Sequence, residues 1–599
     1  MSRKIRLLIP GVFAVALVCL FSGAGALQAS HGTWQQWEGM PSRSHPFWWA
    51  QIGFTKPHNI PWGESVFEKL AQSGMNGVEI NMDWTALEPQ KGRYDFHILD
   101  RYLADAAKAH LKIYFLFWES LGQGNPPSWL TARDISSDGF KALEPPWWGK
   151  ASRKAYFDYV ARTIDHVKNN PGFGGVYPAY GWLDSEWGPM PKGSHGVTGY
   201  APADIREFYR WLPRTYKTIA NFNHVWHTSY KSWSDVPVGR PGDPMFPLYQ
   251  RFRQYSAEEG FGAVTRLVRE HTNRTLIFSW GGGIDGTIGP TVQGNDPDMF
   301  FRLAQKYHVI INLDDSDTAG LALLFGGLAR HYRVPLINEW TPWRKDLRPE
   351  VPQWLGHIGL DAPFEVGDDF FIYPPPAKRP GFVDGWNGYR EWHATLAKVI
   401  QGVAPVQPVA VIVPLRKISL STNLNAYPNL TQELAHFWRH YHVLPDYISD
   451  ELVARRAVNL GHYRAVVDLG NEVATLPALK TYAEKHPVLK TLDQAVPYLH
   501  PYVTITPRHD HLEVVPTVEG STVWLTLANR SLHPYAGTVR FDPAAINLRS
   551  TASFSLKNAK TGQPVHATRS AAGDIEWRVD LPLGGFEVVR LNLENSGAK

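Results

Sequence analysis

The feature that most constrains the fold is a series of eight short apolar or β-branched segments between about residues 45 and 400, each followed by a helical pattern. The candidate strands are WWAQIGF (48–54), GVEINMDW (77–84), KIYFLFW (112–118), GGVYPAYGWL (174–183), TLIFSW (275–280), VIINLD (309–314), PLINEW (335–340) and DFFIYP (369–374). Helical periodicity fills the gaps between them, for example at 64–73, 99–109, 153–168 and 249–270. Eight consecutive strand-then-helix units predict an α/β fold of the (β/α)₈ TIM-barrel type. A doubly wound open sheet is the alternative, although it rarely needs eight such units in a row.

The remainder of the chain predicts two smaller domains. Pro and Gly in QGVAPVQPVAVIVP (401–414) mark a linker, and a short alternating block of strands and helices follows it. This block predicts a small Rossmann-like or flavodoxin-like domain, without a nucleotide because no G-x-G-x-x-G follows its first strand. Beyond residue 496 helical patterns vanish, which is typical of a β-sandwich. The predicted division is a signal peptide (1–26), a catalytic barrel (27–402), a Rossmann-like domain (403–496) and a β-sandwich (497–599).

The first residues have the pattern of a secretory signal. Basic residues precede an apolar run at 7–21, and a small-x-small motif, Ala24-Gly25-Ala26, follows it. An uncleaved anchor helix is the alternative, but the apolar run is shorter than the roughly 20 residues that a membrane span needs. We expect cleavage near residue 26 and a secreted or periplasmic protein. The single cysteine, Cys19, lies in this segment, so the mature chain is expected to contain no disulfide.

Charge and composition narrow the class of partner. The formal charge is +4, and removing three basic and no acidic residues with the signal leaves 4 − 3 = +1. The chain has no long basic run, so nucleic acid is not expected as a partner. No second apolar segment is long enough to span a membrane. The 24 Trp, 25 Tyr and 28 Phe residues are numerous, and many Trp adjoin Gly, Pro or Asp in predicted loops. This composition favours a binding surface for flat apolar ligands, chiefly sugars or bases.

Two glutamates stand where a barrel enzyme places its chemistry, at the carboxyl ends of strands. Glu186 follows strand four in YGWLDSEWGPMP, and Glu339 ends strand seven in LINEW. Retaining glycosidases need two carboxyl groups about 5–5.5 Å apart, one as nucleophile and one as acid/base. The ends of strands four and seven face each other across a barrel mouth, so Glu186 and Glu339 can supply that pair.

The other acids near strand ends also have structural interpretations. Glu119, after strand three, is expected to be a subsite residue or an ion-paired acid. Asp314 and Asp315 could simply cap the next helix. Glu88, before a proline, is expected to anchor the loop after strand two. Glu339 itself could be an ion-paired structural acid.

Several further side chains are candidates for binding the substrate. The aromatic residues at or just past predicted strand ends, each of which could instead be ordinary packing, are Trp118, Trp280, Trp340, Trp343 and Trp386. Together they are expected to act as sugar platforms. Asn338 and Asn387 could bind hydroxyl groups or cap loops. Asp184 lies two residues before Glu186, on the same face of an extended chain, and is expected to be its partner. No metal-ligand spacing appears among the histidines.

Three segments resemble glycoside hydrolase family 42. They are GMNGVEINMDWTALEPQKGRYDFHILDRYLADAAKAHLKIYF (74–115), NPPSWL (125–130) and FYRWLPRTYKTIANFNHVWHTSYKSWSDVP (208–237). The resemblance implies a barrel, a Rossmann-like trimerisation domain and a β-sandwich, hence a homotrimer. It also implies a retaining β-galactosidase that needs no cofactor, with Glu186 as acid/base and Glu339 as nucleophile.

One residue departs from the family pattern. Ser185 stands where the family has an asparagine that hydrogen-bonds the sugar 2-OH. This departure keeps open a β-mannosidase, as in the similarly built glycoside hydrolase family 164, or another β-glycosidase of the same clan. A carbohydrate-binding protein that has lost turnover is the rival of a different class.

Overall fold

The structure, a computed structural model, describes the chain from residue 49 to residue 594 with several gaps. The gaps are 54–62, 73, 118–125, 143, 179–195, 281–293, 295, 314–318, 341–364, 373–394, 396–397, 400–401, 403, 424–426, 428, 530, 532, 549–552 and 583–585. At 49–53, 319, 338–340, 365–372, 586 and 594 the description covers the backbone alone.

Eight parallel strands close into a barrel in chain order. They are β1 (Trp49–Gly53), β2 (Gly77–Asn81), β3 (Lys112–Phe117), β4 (Phe173–Pro178), β5 (Thr275–Trp280), β6 (Ile310–Leu313), β7 (Leu336–Trp340) and β8 (Glu365–Ile372). The ring is closed because β1 pairs with both β2 and β8. The predicted TIM barrel is confirmed, and the open-sheet alternative is wrong.

Helices follow the strands and surround the barrel. They are α1 (Glu64–Gln72), α2 (Trp84–Leu87), α3 (His97–Lys108), α4 (Lys150–Val167), α5 (Pro202–Tyr216), α6 (Ile219–Trp226), α7 (Phe246–His271), α8 (Pro297–Tyr307) and α9 (Ala319–Tyr332). Local sequence explains where they begin: Asp296 precedes α8, and its side chain accepts the Met299 N–H at 2.7 Å, while Pro297 stands in the first turn. Among these helices and their neighbours in the described part of the chain, none is long and apolar enough to cross a membrane.

Alternate side chains of the barrel strands point to two different hydrophobic regions, one outside the barrel and one inside it. In β3, for example, Phe115 and Phe117 contribute to the large core between strands and helices. The residues of the other parity form a small cluster inside the barrel, which we call the interior cluster. Its members are Tyr114, Leu116, Tyr177, Ile277, Ile310 and Ile337. The barrel interior is therefore a packed floor, as expected for this fold.

A second, parallel sheet of four strands follows the barrel, in the order β10-β9-β11-β12. Its strands are β9 (Val409–Val413), β10 (Asp446–Ser449), β11 (Ala465–Asp468) and β12 (Val488–Leu489). The helices of this region are α10 (Leu415–Ser419), α11 (Leu430–Tyr441), α12 (Asp450–Ala454) and α13 (Pro477–Ala483). Pro477 stands in the first turn of α13, where its missing N–H is not needed.

The last part of the described chain forms two antiparallel four-stranded sheets, ordered β13-β16-β19-β18 and β14-β15-β20-β17. The strands are β13 (Val503–Thr506), β14 (Leu512–Glu519), β15 (Thr522–Asn529), β16 (Tyr535–Phe541), β17 (Ser553–Asn558), β18 (Ala567–Arg569), β19 (Ile575–Leu581) and β20 (Phe586–Glu594). Both sheets contribute to one hydrophobic core, with Leu525 of β15 and Val539 of β16 among its fully buried members. The domain boundaries at 402/403 and 496/497 stay predictions.

Helix α9 joins the barrel closely to the second sheet. A Cβ atom at Gly320 would overlap the carbonyl oxygen of Thr431 in α11, so only glycine permits this approach. At the end of the helix, Arg330 forms an ion pair with Asp446 of β10. Burial raises the pKa of Asp446, but the Arg330 charge and further hydrogen bonds outweigh burial and lower this pKa to about 2. The junction is thus closely packed and charge-paired.

Candidate active site

The barrel brings the ends of β4 and β7 to the same rim. Glu339 is the penultimate residue of β7, and its backbone lies in register with Asp369 of β8. The backbone of Asn338 and Trp340 belongs to the same strand end. The other predicted site residues lie outside the described residues: Trp118, Glu119, Asp184, Ser185, Glu186, Trp343, Trp386 and Asn387.

The interior of the barrel becomes polar toward this rim. Asn312 follows Ile310 by two residues and Ser279 follows Ile277 by two, so each continues an interior-facing row of its strand. Ser279 and Asn312 are directly paired in the β5–β6 register, and both are buried. Such hydroxyl and amide groups can both donate and accept hydrogen bonds, as recognition of sugar hydroxyls requires.

Strand β2 carries a second polar row. Glu79 and Asn81 are buried and alternate with Val78 and Ile80, which belong to the outer core. Sequence reasoning missed this row and the one at Ser279 and Asn312. The signal was present, because a polar residue at every second position of an apolar strand marks one face of that strand.

Glu88 anchors the loop after β2, as predicted. Its Oε2 accepts the Trp84 Nε1–H at 2.8 Å, and its Oε1 accepts the Gly92 N–H at 2.7 Å. Its carbonyl oxygen accepts the Trp129 Nε1–H at 3.1 Å. Trp129 also packs edge-on against Trp84, with ring centroids 6.0 Å apart. The loops after β2 and β3, which carry two of the family-like motifs, therefore support each other at the rim.

Trp280 does not have the surroundings of a sugar platform. Its side chain is only 1% exposed and belongs to the core between strands and helices. The ring packs against Phe300 of α8 at 5.5 Å and Phe325 of α9 at 5.4 Å. The reason is strand parity: Ile277 faces the interior, so the residue three positions later faces outward. The prediction for Trp280 is corrected to a packing role.

Comparison with known proteins gives consistent matches. A family model described as β-galactosidase, of glycoside hydrolase family 42, matches residues 60–135. The β-galactosidase BbgII of Bifidobacterium bifidum is 26% identical over 184 residues, covering 28% of this chain and 25% of that protein. A β-galactosidase of an Arthrobacter species is 25% identical over 279 residues, covering 41% of this chain and 36% of that protein. The matched segments thus span a quarter of the first relative and little more than a third of the second.

The solved structure of a β-galactosidase from Bacillus circulans sp. alkalophilus aligns with a TM-score of 0.66 and 13% identity. The alignment covers 92% of this chain and 99% of that one. A structural similarity at 13% sequence identity shows a shared fold and nothing further. Parts of this chain are thus similar to β-galactosidases of glycoside hydrolase family 42, and its fold is similar to that of a solved β-galactosidase.

Proposed function

We propose that the protein is a retaining exo-β-glycosidase, of the β-galactosidase kind, that hydrolyses terminal β-glycosidic bonds of oligo- or polysaccharides. The observation that carries the proposal is the position of Glu339 at the carboxyl end of β7 in a closed barrel. Glu186 is assigned as the acid/base from the motif that follows β4.

The reaction proceeds by double displacement. Glu339 attacks the anomeric carbon while Glu186 protonates the departing glycosidic oxygen, which gives a covalent glycosyl-enzyme. Glu186 then removes a proton from water, the water attacks the anomeric carbon, and the bond to Glu339 breaks. The negative charge of Glu339 favours the protonated form of Glu186 before the first step. No cofactor enters either step.

A panel of aryl β-glycosides tests the substrate class. We expect the purified wild-type protein to have its highest kcat/KM with the β-galactoside, and Glu339→Ala to be the inactive control. Ser185 favours the second candidate, so a higher kcat/KM with the β-mannoside would identify a β-mannosidase instead. Saccharide binding without turnover of any glycoside would identify a catalytically silent carbohydrate-binding protein and contradict the proposal.

We also propose a homotrimer. The support is the four-stranded parallel sheet at the position where the family-like layout has its trimerisation domain. Light scattering coupled to gel filtration is expected to give three times the protomer mass. A monomer mass at micromolar concentration would contradict this proposal.

We propose, finally, that the protein is exported with loss of residues 1–26 and meets its carbohydrate substrate outside the cytoplasm. The support is the basic start, the apolar run and the Ala24-Gly25-Ala26 motif. The intact mass of the exported protein is expected to be that of the chain without residues 1–26. If the exported protein retains its first residues, the segment is an anchor and the chain stays at a membrane.

A further inference from the structure

A cleft opens where three parts of the described chain meet. It is lined by the segment 404–408 that leads into β9, by residues beside the parallel second sheet, and by β14 and the connection from β16 to β17. None of its lining residues belongs to a barrel strand. Its volume is about 600 Å³, which is within the range of about 300–1,000 Å³ that is typical of small-molecule sites. The cleft is therefore large enough for a ligand of the size of a sugar.

Backbone hydrogen bonds fix the segment 404–408 against the second sheet. The Gln407 N–H donates to the Leu444 carbonyl at 2.7 Å, just before β10. The Arg464 N–H donates to the Pro408 carbonyl at 2.8 Å, just before β11. Because these contacts do not depend on a ligand, this side of the cleft is preformed, as small-molecule sites usually are.

Arg464 gives the cleft a positive charge. Its Nη1 donates to His500 Nε2 at 2.7 Å, and both side chains are exposed. A guanidinium group only donates, so Nε2 is the acceptor and the neutral His500 ring carries its proton on Nδ1. Within the described part of the chain, no carboxylate forms an ion pair with Arg464. Its charge and its other N–H groups can therefore bind an anion.

Gln407 supplies a hydrogen-bond donor that the fold itself does not use. The side chain lines the cleft and is only 4% exposed. Its Oε1 accepts the His500 N–H at 3.2 Å, which orients the amide. Among the described residues, none accepts a hydrogen bond from Gln407 Nε2. A buried polar group usually has a partner, so this amide matches an acceptor atom on a ligand.

The antiparallel sheets add an acceptor and aliphatic surface. Asp542 Oδ1 accepts the Ala544 N–H at 2.8 Å, while Oδ2 makes no hydrogen bond with the described residues. A carboxylate oxygen of this kind accepts hydrogen bonds from hydroxyl groups. Half-buried Val406 and Ile546 line the same cleft, and none of the described residues that line it is aromatic. The cleft thus lacks the ring surface on which neutral sugars stack.

We propose that this cleft binds a small hydroxylated organic anion of the sugar-acid class. The ligand carboxylate binds Arg464 and Gln407 Nε2, because a planar guanidinium matches a carboxylate better than it matches a neutral hydroxyl. The hydroxyl groups donate to Asp542, and the carbon skeleton contacts Val406 and Ile546. The site goes beyond the proposed function, since it takes no part in turnover at the barrel. A ligand that contacts all three parts of the chain stabilises the folded protein.

Isothermal titration calorimetry of the full chain with D-glucuronate tests the proposal, and D-glucose is the neutral counterpart. We expect saturable binding of D-glucuronate and at least about tenfold weaker binding of D-glucose, the usual effect of losing a charge-assisted hydrogen bond. Arg464→Ala should weaken D-glucuronate binding at least about tenfold for the same reason. Arg578→Ala is the matched control, because Arg578 is an exposed arginine of β19 that does not line the cleft. It should leave the affinity unchanged.

Gln407→Glu tests the buried donor separately. The new carboxylate can still accept the His500 N–H, but it replaces the amide donor by a negative charge that repels the ligand. We expect at least about a tenfold loss of D-glucuronate affinity. If this variant does not fold, Arg464→Ala decides, since its side chain is exposed and its backbone N–H is kept.

Equal affinities for D-glucuronate and D-glucose would overturn the proposal, and so would an unchanged affinity in Arg464→Ala. The absence of D-glucuronate binding at millimolar concentrations would overturn it as well. Methyl β-D-glucuronide distinguishes two sources of the same chemistry. Its binding would identify the terminal acid residue of a saccharide as the ligand, whereas binding of the free acid alone would identify a free sugar acid. Because no turnover is measured, these results do not depend on the proposed glycosidase activity.

Discussion

Glu339→Ala is expected to lose kcat/KM on aryl β-glycosides by about 10⁴-fold or more, the scale on which enzymes lose activity when a nucleophile is removed. Without this carboxylate no glycosyl-enzyme forms, and a rapid-quench experiment should show no burst of aryl leaving group. Added azide can occupy the vacated space and attack the anomeric carbon once. The product should be the α-glycosyl azide, because only one inversion takes place.

Glu270→Ala is the control for this variant. Glu270 lies near the end of α7 and is exposed, so the same truncation there should leave kcat/KM within about twofold of wild type. If Glu339→Ala retains a burst, or azide gives the β-product, Glu339 is not the nucleophile. The remaining acids of the rim would then become candidates.

Glu186→Ala is expected to affect poor leaving groups most. The loss should be about 10²- to 10⁴-fold for a phenyl glycoside, the usual contribution of general acid catalysis, and much smaller for a dinitrophenyl glycoside. An activated phenolate departs without a proton, so its glycosyl-enzyme still forms but is hydrolysed slowly. Azide replaces the base-activated water in the second step, and the product should be the β-glycosyl azide after two inversions.

The expectation that Glu186 is protonated before the first step comes from its sequence environment. Tyr180, Trp182 and Trp187 surround it in the sequence and are expected to reduce its contact with water, while the charge of Glu339 opposes its ionisation. Equal, small losses for both classes of substrate in Glu186→Ala would show that Glu186 is not the acid. Asp184 or Glu119 would then be tested in its place.

The barrel could be predicted from sequence because each of its units carries a local signal. The segment around β2 shows that this local signal predicts the presence of a strand better than the residue at which the strand ends. GVEINMDW was expected to be extended to residue 84, but the strand stops at Asn81, and Asp83 caps α2 by accepting the Ala86 N–H. An aspartate cap competes with strand continuation, and tertiary context decides between them.

The site could be predicted only where chemistry and strand ends coincide. Glu339 was proposed by that rule, and its backbone stands at the end of β7. Trp280 also ends a strand, yet parity turns it outward, and a count of alternate positions in β5 would have shown this. The cleft beside the segment 404–408 has no periodic signal at all. Gln407, Arg464 and Asp542 are distant in sequence, so only the folded chain shows that they line one cleft.

The closely packed face of α9 has a consequence for the history of the gene. Gly320 and Gly327 lie two turns apart, and side chains at these positions would collide with the backbone at Thr431 and Tyr447. The apolar core also runs without interruption from the barrel strands to β9 and α11. A recombination event that exchanged the barrel for another one would remove the two glycines that permit this close approach. It would also leave the buried Asp446 without its ion-pair partner Arg330. The barrel and the second sheet are therefore expected to be inherited together, as one evolutionary module.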